Sequence, residues 1–312
     1  MSFFLALDAG GTKTDDVLAD ETRELERVRS GTIKRMRTDA ATATRNLEQA
    51  LSELTAKTGV SMQSMTRTCV GTAGVTVPLV ADWLREAITV RVAGELLVVG
   101  DVEIALDAAF PGQAGVLVLS GTGSNVAGRT ATGELVSAGG WGPALADQGS
   151  GHKIGLESLR AIFMAKDEGR STPLLQAVLD FWELASLDLL VEYANRRPAP
   201  DFSSLTELVL RYAEMGDEIA AAVLRREGED LAHLVKLVMH RLRAASRKKD
   251  WVPPIAFAGS IMEKVLPVRQ ALIAAVQREF PEVRTLDGVV DPIAGAVWRA
   301  RTGGSLERAG QC

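Results

Sequence analysis

One device occurs twice in this chain and constrains its fold more than any other feature: an apolar strand-like run that breaks abruptly into glycines and small hydroxyl residues. The first copy is Leu5-Ala6-Leu7-Asp8-Ala9-Gly10-Gly11-Thr12-Lys13-Thr14, and the second is Val116-Leu117-Val118-Leu119-Ser120-Gly121-Thr122-Gly123-Ser124. Glycines at a strand turn let the backbone approach an anion closely, while neighbouring N–H groups and hydroxyls donate to phosphate oxygens. Either copy alone reads equally as a tight hairpin; together they point to two similar halves that handle phosphate. The P-loop spacing ending in Gly-Lys-Ser/Thr is absent, and no Gly-x-Gly-x-x-Gly opens a helix after the first strand. A different nucleotide fold is therefore expected.

The residues around the two copies say what kind of halves these are. Strand-like Phe3–Leu7, Thr68–Val70 and Leu96–Val99 alternate with helical patterns: Leu47, Ala50, Leu51 and Leu54 at helical spacing, then Pro78–Ile88. Such alternation indicates an α/β domain. After the strand Gly115–Leu119, helical patterns dominate from about Ser150 to Ala245, interrupted at Pro198 and Pro200 and ended by Pro253–Pro254 before a strand at Ile255–Ala258. A chain of 312 residues accommodates two such domains. The expected division is an N-terminal lobe of 1–112 plus 290–303, a helix-rich C-terminal lobe of 113–289, and a flexible tail at 304–312.

Composition excludes several classes. A net charge of −5 argues against a general nucleic-acid binder, which needs dense basic surface. With only Cys69 and Cys312, a disulfide framework is excluded. No apolar run is long enough to span a membrane, and Met1–Leu7 runs at once into Asp8 and glycines, unlike a signal peptide. Cytoplasmic residence is the expectation.

Two carboxylates stand where chemistry is expected. Asp101 ends the strand Leu96–Gly100 and precedes an apolar helical run, and open α/β sheets bind ligands at such strand ends. There it could accept the proton of an attacking hydroxyl, or simply cap the helix. Asp8, at the end of the first strand, could hold Mg²⁺ directly or through water, or merely shape the turn.

The ordered set Asp8-Ala-Gly-Gly-Thr-Lys-Thr14, Asp101, Ser120-Gly-Thr-Gly-Ser-Asn125, Gly139-Gly-Trp-Gly142, Asp147-Gln-Gly-Ser150, Ala258-Gly-Ser260 and Asp291-Pro-Ile-Ala-Gly-Ala296 resembles the N-acetylglucosamine kinase family. That family (BadF/BadG/BcrA/BcrD-type ATPases) belongs to the actin, hexokinase and heat-shock-chaperone ATPase superfamily. The resemblance implies an α/β fold of two ribonuclease-H-like lobes with a nucleotide cleft between them. It implies ATP and Mg²⁺ as cofactors, and transfer of a phosphoryl group to N-acetylglucosamine or a related hexosamine. It also implies roles. Gly10, Gly11, Thr12, Lys13 and Thr14 would form the first phosphate loop, and Gly121, Thr122, Gly123 and Ser124 the second. Gly259 and Ser260 would lie near the adenosine, Asp101 would be the base, and Asp8 would serve the metal. Asn125, Gly140, Trp141, Asp147 and Thr72 would face the sugar, and a helix over Asp291–Arg301 would return to the first lobe.

The chain departs from that pattern in one loop. Where family members that bind N-acetylglucosamine carry a sugar-binding Asn, this chain reads Ser30-Gly-Thr-Ile-Lys-Arg-Met-Arg37, placing Lys34, Arg35 and Arg37 together. Clustered Lys and Arg would suit an acceptor bearing a carboxylate; the alternative is a solvated surface loop. After Asp147 come Gln148, His152 and Lys153, where eukaryotic-type members carry Glu and an aromatic.

Other features have plainer readings. His233 and His240 lie seven apart on a helical run with no third ligand nearby, which argues against a metal site. Arg241, Arg243, Arg247, Lys248 and Lys249 read as a solvated helix end, and Met62, Met65 and Trp83 as core. Two other functions compete with the sugar kinase. One is a partner-coupled ATPase without an iron–sulfur cluster, since two cysteines in unsuitable contexts cannot hold one; the other is a sugar-responsive regulator. The expected partner is a small sugar, with no nucleic acid and no membrane. A homodimer through Val178–Leu190 or the helices after Leu205 is left open.

Overall fold

The computed structural model describes residues 1–246 and 250–304. The expected tail from 305 on and the basic residues Arg247, Lys248 and Lys249 lie outside the described residues. Two compact units emerge: the first comprises Met1–Leu117, Arg129–Glu134 and the chain from Val290, and the second comprises Val118–Gly128 and Leu135–Val289.

In the first unit the order is β1 (Phe3–Ala9), β2 (Lys13–Ala19), β3 (Glu24–Gly31), α1 (Ala40–Thr58), β4 (Met65–Thr72), α2 (Pro78–Thr89), β5 (Glu95–Val99) and α3 (Asp101–Ala109). The five strands form one sheet in the order β3-β2-β1-β4-β5. The β1–β2 and β2–β3 pairs are antiparallel, and β1–β4 and β4–β5 are parallel. Both faces are covered. Leu5, Leu7 and Ala9 of β1 pack with Leu47, Leu51 and Leu54 of α1 and Leu84 of α2. Phe4 and Ala6, pointing the other way, pack with Ile104 of α3 and with Ile293, Ala296 and Val297. A strand buried on both faces reads as a continuous apolar run, which is why Phe3–Leu7 shows no polar alternation.

The last three of those residues belong to the closing helix, which follows the second unit in sequence; the elements of that unit come first. They are β6 (Gly115–Ser120), whose first residues belong to the first unit, β7 (Ser124–Arg129), β8 (Leu135–Gly139), α4 (Gly151–Asp167), α5 (Pro173–Phe181), α6 (Leu187–Asn195), α7 (Thr206–Glu214), α8 (Glu218–Ala245), β9 (Ile255–Ala258), α9 (Ser260–Lys264) and α10 (Leu266–Gln277). Its sheet has the order β8-β7-β6-β9. The long helix α8 starts at Asp217, whose carboxylate accepts from the N–H groups of Ile219 and Ala220, and buries Val223, Leu224, Leu231, Val235, Val238 and Leu242 along one side. No helix among the described residues is long and apolar enough to cross a membrane.

The closing helix α11 (Pro292–Thr302) returns to the first unit and crosses α3. The crossing is close because residue 295 is glycine: a Cβ there would stand 1.8 Å from the Ile104 carbonyl oxygen. Gly295→Ala is therefore expected to destabilise the protein toward the upper end of the roughly 1–3 kcal/mol typical of overpacking. Urea denaturation checks this, and a midpoint equal to wild type would mean the helices part without cost.

Candidate active site

The parallel strands β1, β4 and β5 set the site's position in the first unit, because their C-terminal ends fall along one edge of the sheet. Asp8 and the Gly10–Thr12 turn follow β1, Thr72 ends β4, and Gly100 and Asp101 follow β5. Gly10, Gly11 and Thr12 form a three-residue turn into β2, with Gly11, Thr12 and Lys13 exposed. Thr14 is fully buried; its hydroxyl donates to the Gly31 carbonyl at 3.3 Å and accepts from the Ile33 N–H at 3.3 Å. Thr72 is equally buried, with its hydroxyl donating to the Ala9 carbonyl at 3.2 Å. Both hydroxyls are thus already engaged with backbone.

Asp101 is the first residue of α3; the N-cap position is taken by Gly100, whose N–H donates to Glu103 Oε1 at 3.1 Å. The helix-capping alternative for Asp101 therefore does not describe its position. Its carboxylate accepts the Val102 N–H at 2.9 Å. Burial raises its pKa above the ordinary value, against the lowering effects of the Val102 N–H and the Lys34 ammonium.

Asp8 is pushed up to about 6, first by burial and then by the negative charges of Asp101, Asp15 and Asp291, with only Lys13 opposing. Behind it, burial raises Asp16 to about 7, although Ser30 Oγ donates to it at 3.1 Å, and Asp16 Oδ1 is buried with no partner. Asp16 shares the sheet face of its cross-strand partner Leu7, and Asp8 that of Asp15, so the fit rests on Asp8: a carboxylate crowded by like charges at a strand end suits a hard divalent cation bound through oxygen. Asp15 behaves differently. Although burial raises its pKa, a hydrogen bond from Arg29 and the charges of Lys13, Arg27 and Arg29 hold it below the usual value. Among the described residues no three His, Cys, Asp or Glu side chains are grouped to hold a metal unaided. Water and phosphate oxygens would complete the shell of an ion such as Mg²⁺.

The second unit repeats the turn. Gly121, Thr122 and Gly123 join β6 to β7, and the Gly121 N–H donates to the Gly123 carbonyl at 2.9 Å. The N-terminus of α4 is docked onto this turn: the Gly151 N–H donates to the Gly121 carbonyl at 2.8 Å and the His152 N–H to the Thr122 carbonyl at 3.3 Å. Ser124 Oγ donates to the Gln148 carbonyl at 2.7 Å, and Ser120 Oγ to the Gly149 carbonyl at 2.7 Å. Asp147 is buried with φ 72°, a left-handed conformation uncommon outside glycine, and a Cβ at Gly123 would stand 3.1 Å from Asp147 Oδ2. Gly259, at φ 90°, abuts the start of the turn: a Cβ there would meet the Ser120 carbonyl at 2.3 Å, while Ser260 Oγ lies against Gly121. Asn125 and Gly140 are also neighbours, and Asn125 Oδ1 is buried without a partner. Trp141 stands 74% exposed. The residues expected to serve one ligand thus fall into two groups, one in each unit.

Sequence reasoning missed Glu227. It sits fully buried on α8, and its Oε2 accepts the Gly149 N–H at 2.8 Å, fixing the Asp147–Ser150 loop from behind. The signal was available, because Glu227 falls on the same helical face as Val223, Leu224 and Leu231. Burial pushes it up to about 7 from 4.5, despite the Gly149 N–H and Lys153. A carboxyl whose folded pKa is raised favours the folded state most below its unfolded pKa. That contribution is lost as pH rises from about 4.5 to about 7. Glu227→Gln keeps the acceptor oxygen and removes the titration. The variant should lose less stability than wild type across that window, by up to about 3 kcal/mol. Parallel pH–stability curves would sink the assignment.

Two ribonuclease-H-like α/β units, each with a strand, a three-residue glycine turn and a returning strand, define a protein of the actin/hexokinase type. More narrowly, the profile of the BadF/BadG/BcrA/BcrD ATPase family matches residues 5–300, and the chain belongs to that family. It is similar to an N-acetylmuramic acid/N-acetylglucosamine kinase of Clostridium acetobutylicum, with 28% identity over 97% of this chain and 99% of the relative. It is also similar to an N-acetyl-D-glucosamine kinase of Dictyostelium discoideum, with 28% identity over 94% and 96% of the two chains. Among solved structures, a candidate N-acetylglucosamine kinase from Chromobacterium violaceum superposes with a TM-score of 0.70 at 26% identity, over 95% of this chain and 98% of the other.

Proposed function

We propose that this chain is an ATP-dependent kinase that phosphorylates an amino sugar, N-acetylglucosamine or a related hexosamine, at a sugar hydroxyl. The observation that carries the reading is Asp101: a half-buried carboxylate with a raised pKa at a strand end, on the same sheet edge as Asp8 and the first glycine turn. The family and the names of the two relatives support the nucleotide and the acceptor class.

In this reading Asp101 accepts the proton as the sugar oxygen bonds to the γ-phosphorus and the bond from that phosphorus to the β,γ-bridging oxygen breaks, releasing ADP. Gly10, Gly11, Thr12 and Lys13 in one unit, and Gly121, Thr122 and Gly123 in the other, present N–H groups and side chains to phosphate. Thr14 and Ser124 belong to the same two phosphate turns and Thr72 to the acceptor side, their hydroxyls positioned by the backbone carbonyls they donate to. Gly259 and Ser260 serve the adenosine side, while Asn125, Gly140, Trp141 and Asp147 serve the acceptor. Asp8 would hold Mg²⁺, which neutralises phosphate charge when bound. Such an enzyme belongs in the cytoplasm, where ATP and free sugars meet.

The test is ADP release with MgATP across glucosamine, N-acetylglucosamine, N-acetylmuramic acid, glucose and no sugar. Sugar-dependent turnover is the expected result. Turnover indifferent to every sugar would replace the kinase with a partner-coupled ATPase.

A further inference from the structure

The basic loop between β3 and α1 is not a loose surface segment. Thr32 Oγ1 donates to the Gly10 carbonyl at 2.7 Å, which fastens the loop to the first glycine turn. Asn46 Nδ2 of α1 donates to the Thr32 carbonyl at 2.9 Å, and the Lys34 N–H donates back to Thr32 Oγ1 at 3.1 Å. The carbonyl of Lys34 then closes a turn by accepting the N–H groups of Arg37 and Thr38 at 2.8 and 3.2 Å, and Asp39 caps α1. The backbone is therefore held before any ligand arrives.

The side chains of this turn are carried over the sheet edge. A Cβ at Gly11 would stand 3.8 Å from Arg37 Nε, and one at Gly74, just beyond β4, would stand 3.4 Å from Met36 Sδ. Lys34 is near enough to Asp101 to favour its ionised form. The Arg35 guanidinium lies 5.9 Å from the centroid of the Trp83 ring on α2, and its Nε and Nη1 are buried without a hydrogen-bond partner. Asp15 is paired with Lys13, Arg27 and Arg29, and Asp291 with Arg27. A guanidinium desolvated on two nitrogens and without a counter-ion among the described residues is costly unless an anion completes it, and its planar fork matches a carboxylate.

We infer that Arg35 and Lys34 are specificity-determining residues that read a carboxylate on the acceptor, so that the preferred substrate is an N-acetylhexosamine carrying an acid side group, not the neutral sugar. This rests on the kinase reading above and narrows it. Lys34 belongs to the loop tethered to the first glycine turn and acts electrostatically on the proposed base, which assigns the acid group it binds to the molecule whose hydroxyl Asp101 deprotonates. Arg37, against Gly11, lies on the nucleotide side and is not part of this pair. An ionised acceptor also answers the crowding of positive charge, since a neutral sugar would leave Arg35 as it stands.

The test compares N-acetylmuramic acid, its methyl ester, N-acetylglucosamine and N-acetylglucosamine 1-phosphate as acceptors for the wild type, Arg35→Met, Lys34→Met and Arg37→Met. Expected is a kcat/KM for the acid about 10- to 100-fold above that for its ester, the range of a charge-assisted hydrogen bond. That advantage should collapse in Arg35→Met, with N-acetylglucosamine turnover little changed, and in Lys34→Met, where the acid limb for both sugars should also move to higher pH because the ammonium that favours ionised Asp101 is gone, and it should persist in Arg37→Met. An acid no better than its ester, or an Arg35→Met variant that loses both sugars equally, overturns the inference. A preference for the 1-phosphate over the acid also overturns it, since the anion read would then be phosphate. Calorimetric binding of the acid and the ester separates the two claims. If the acid binds preferentially through Arg35 but is never phosphorylated, the kinase reading fails and the subsite stands. If N-acetylglucosamine is phosphorylated and neither acid nor ester shows a preference, the subsite fails alone.

Discussion

Replacing Asp101 by Asn should lower kcat for the sugar-dependent reaction by about 10²- to 10⁴-fold, the usual contribution of a positioned general base. The side chain keeps its shape, and its amide oxygen can still accept the Val102 N–H, so α3 keeps its first turn. What is lost is an oxygen able to take a proton. The KM for ATP should stay within about threefold, because the interaction removed is one made with the attacking hydroxyl in the transition state. The pH profile gives a second, independent signature. Burial raises the Asp101 pKa above its ordinary value, so the fraction of enzyme with an ionised base, and with it kcat/KM, climbs with pH on the acid limb. In Asp101→Asn that limb should vanish from the residual rate. Steady-state kinetics over pH 4 to 9 measures both; a variant with wild-type turnover, or one whose acid limb is intact, removes Asp101 from the chemistry.

The parts of this fold that show in the sequence are those where burial and residue type agree. The runs at β1, β4, β5, β6 and β9 are apolar because their strands are covered, and the helical spacing of Leu47, Ala50, Leu51 and Leu54 is the buried stripe of α1. The strands β2 and β3 stay hidden for the opposite reason. The strand β2 buries Thr14, Asp15 and Asp16 alongside Val17 and Leu18, so a carboxylate pair interrupts what would otherwise be an apolar run. On the neighbouring edge strand, β3 shows mostly charge because Arg27 and Arg29 pair with Asp15, and only Val28 turns fully into the core. Local propensity carries no trace of such pairings, which depend on residues brought together by the sheet. The basic loop was ambiguous for a related reason. Three cations in sequence look like solvated surface, and only the tether from Thr32 to Gly10 shows that they lie along the ligand edge.

Asp107→Ala should destabilise the protein by about 3–5 kcal/mol, the loss expected when one partner of a buried ion pair is removed and the other charge is left behind. Asp107 is fully buried on α3 and serves two arginines. Its Oδ1 accepts from Arg129 Nη1, and its Oδ2 accepts from Arg299 Nε at 2.5 Å. Arg129 is itself saturated by the carbonyls of Phe110 at 2.6 Å and Gln113 at 3.1 Å, and so cannot swing to solvent without breaking those bonds. Arg299 reaches from α11 to Glu103 Oε2 at 3.2 Å, and the other oxygen of Glu103 accepts the Gly100 N–H at the start of α3. The network thus joins α3, α11 and Arg129 within the first unit. A loss of that size is comparable with the whole stability of a marginal domain, so urea denaturation is best run at low temperature beside Asp107→Asn, which keeps the acceptor oxygen for one arginine and should cost less. Because Asp101 opens the helix that Asp107 anchors, any folded Asp107→Asn should also lose kcat without a matching rise in the KM for ATP. A small change in stability with full activity would mean that the arginines find other partners and that α3 is held by its apolar face alone.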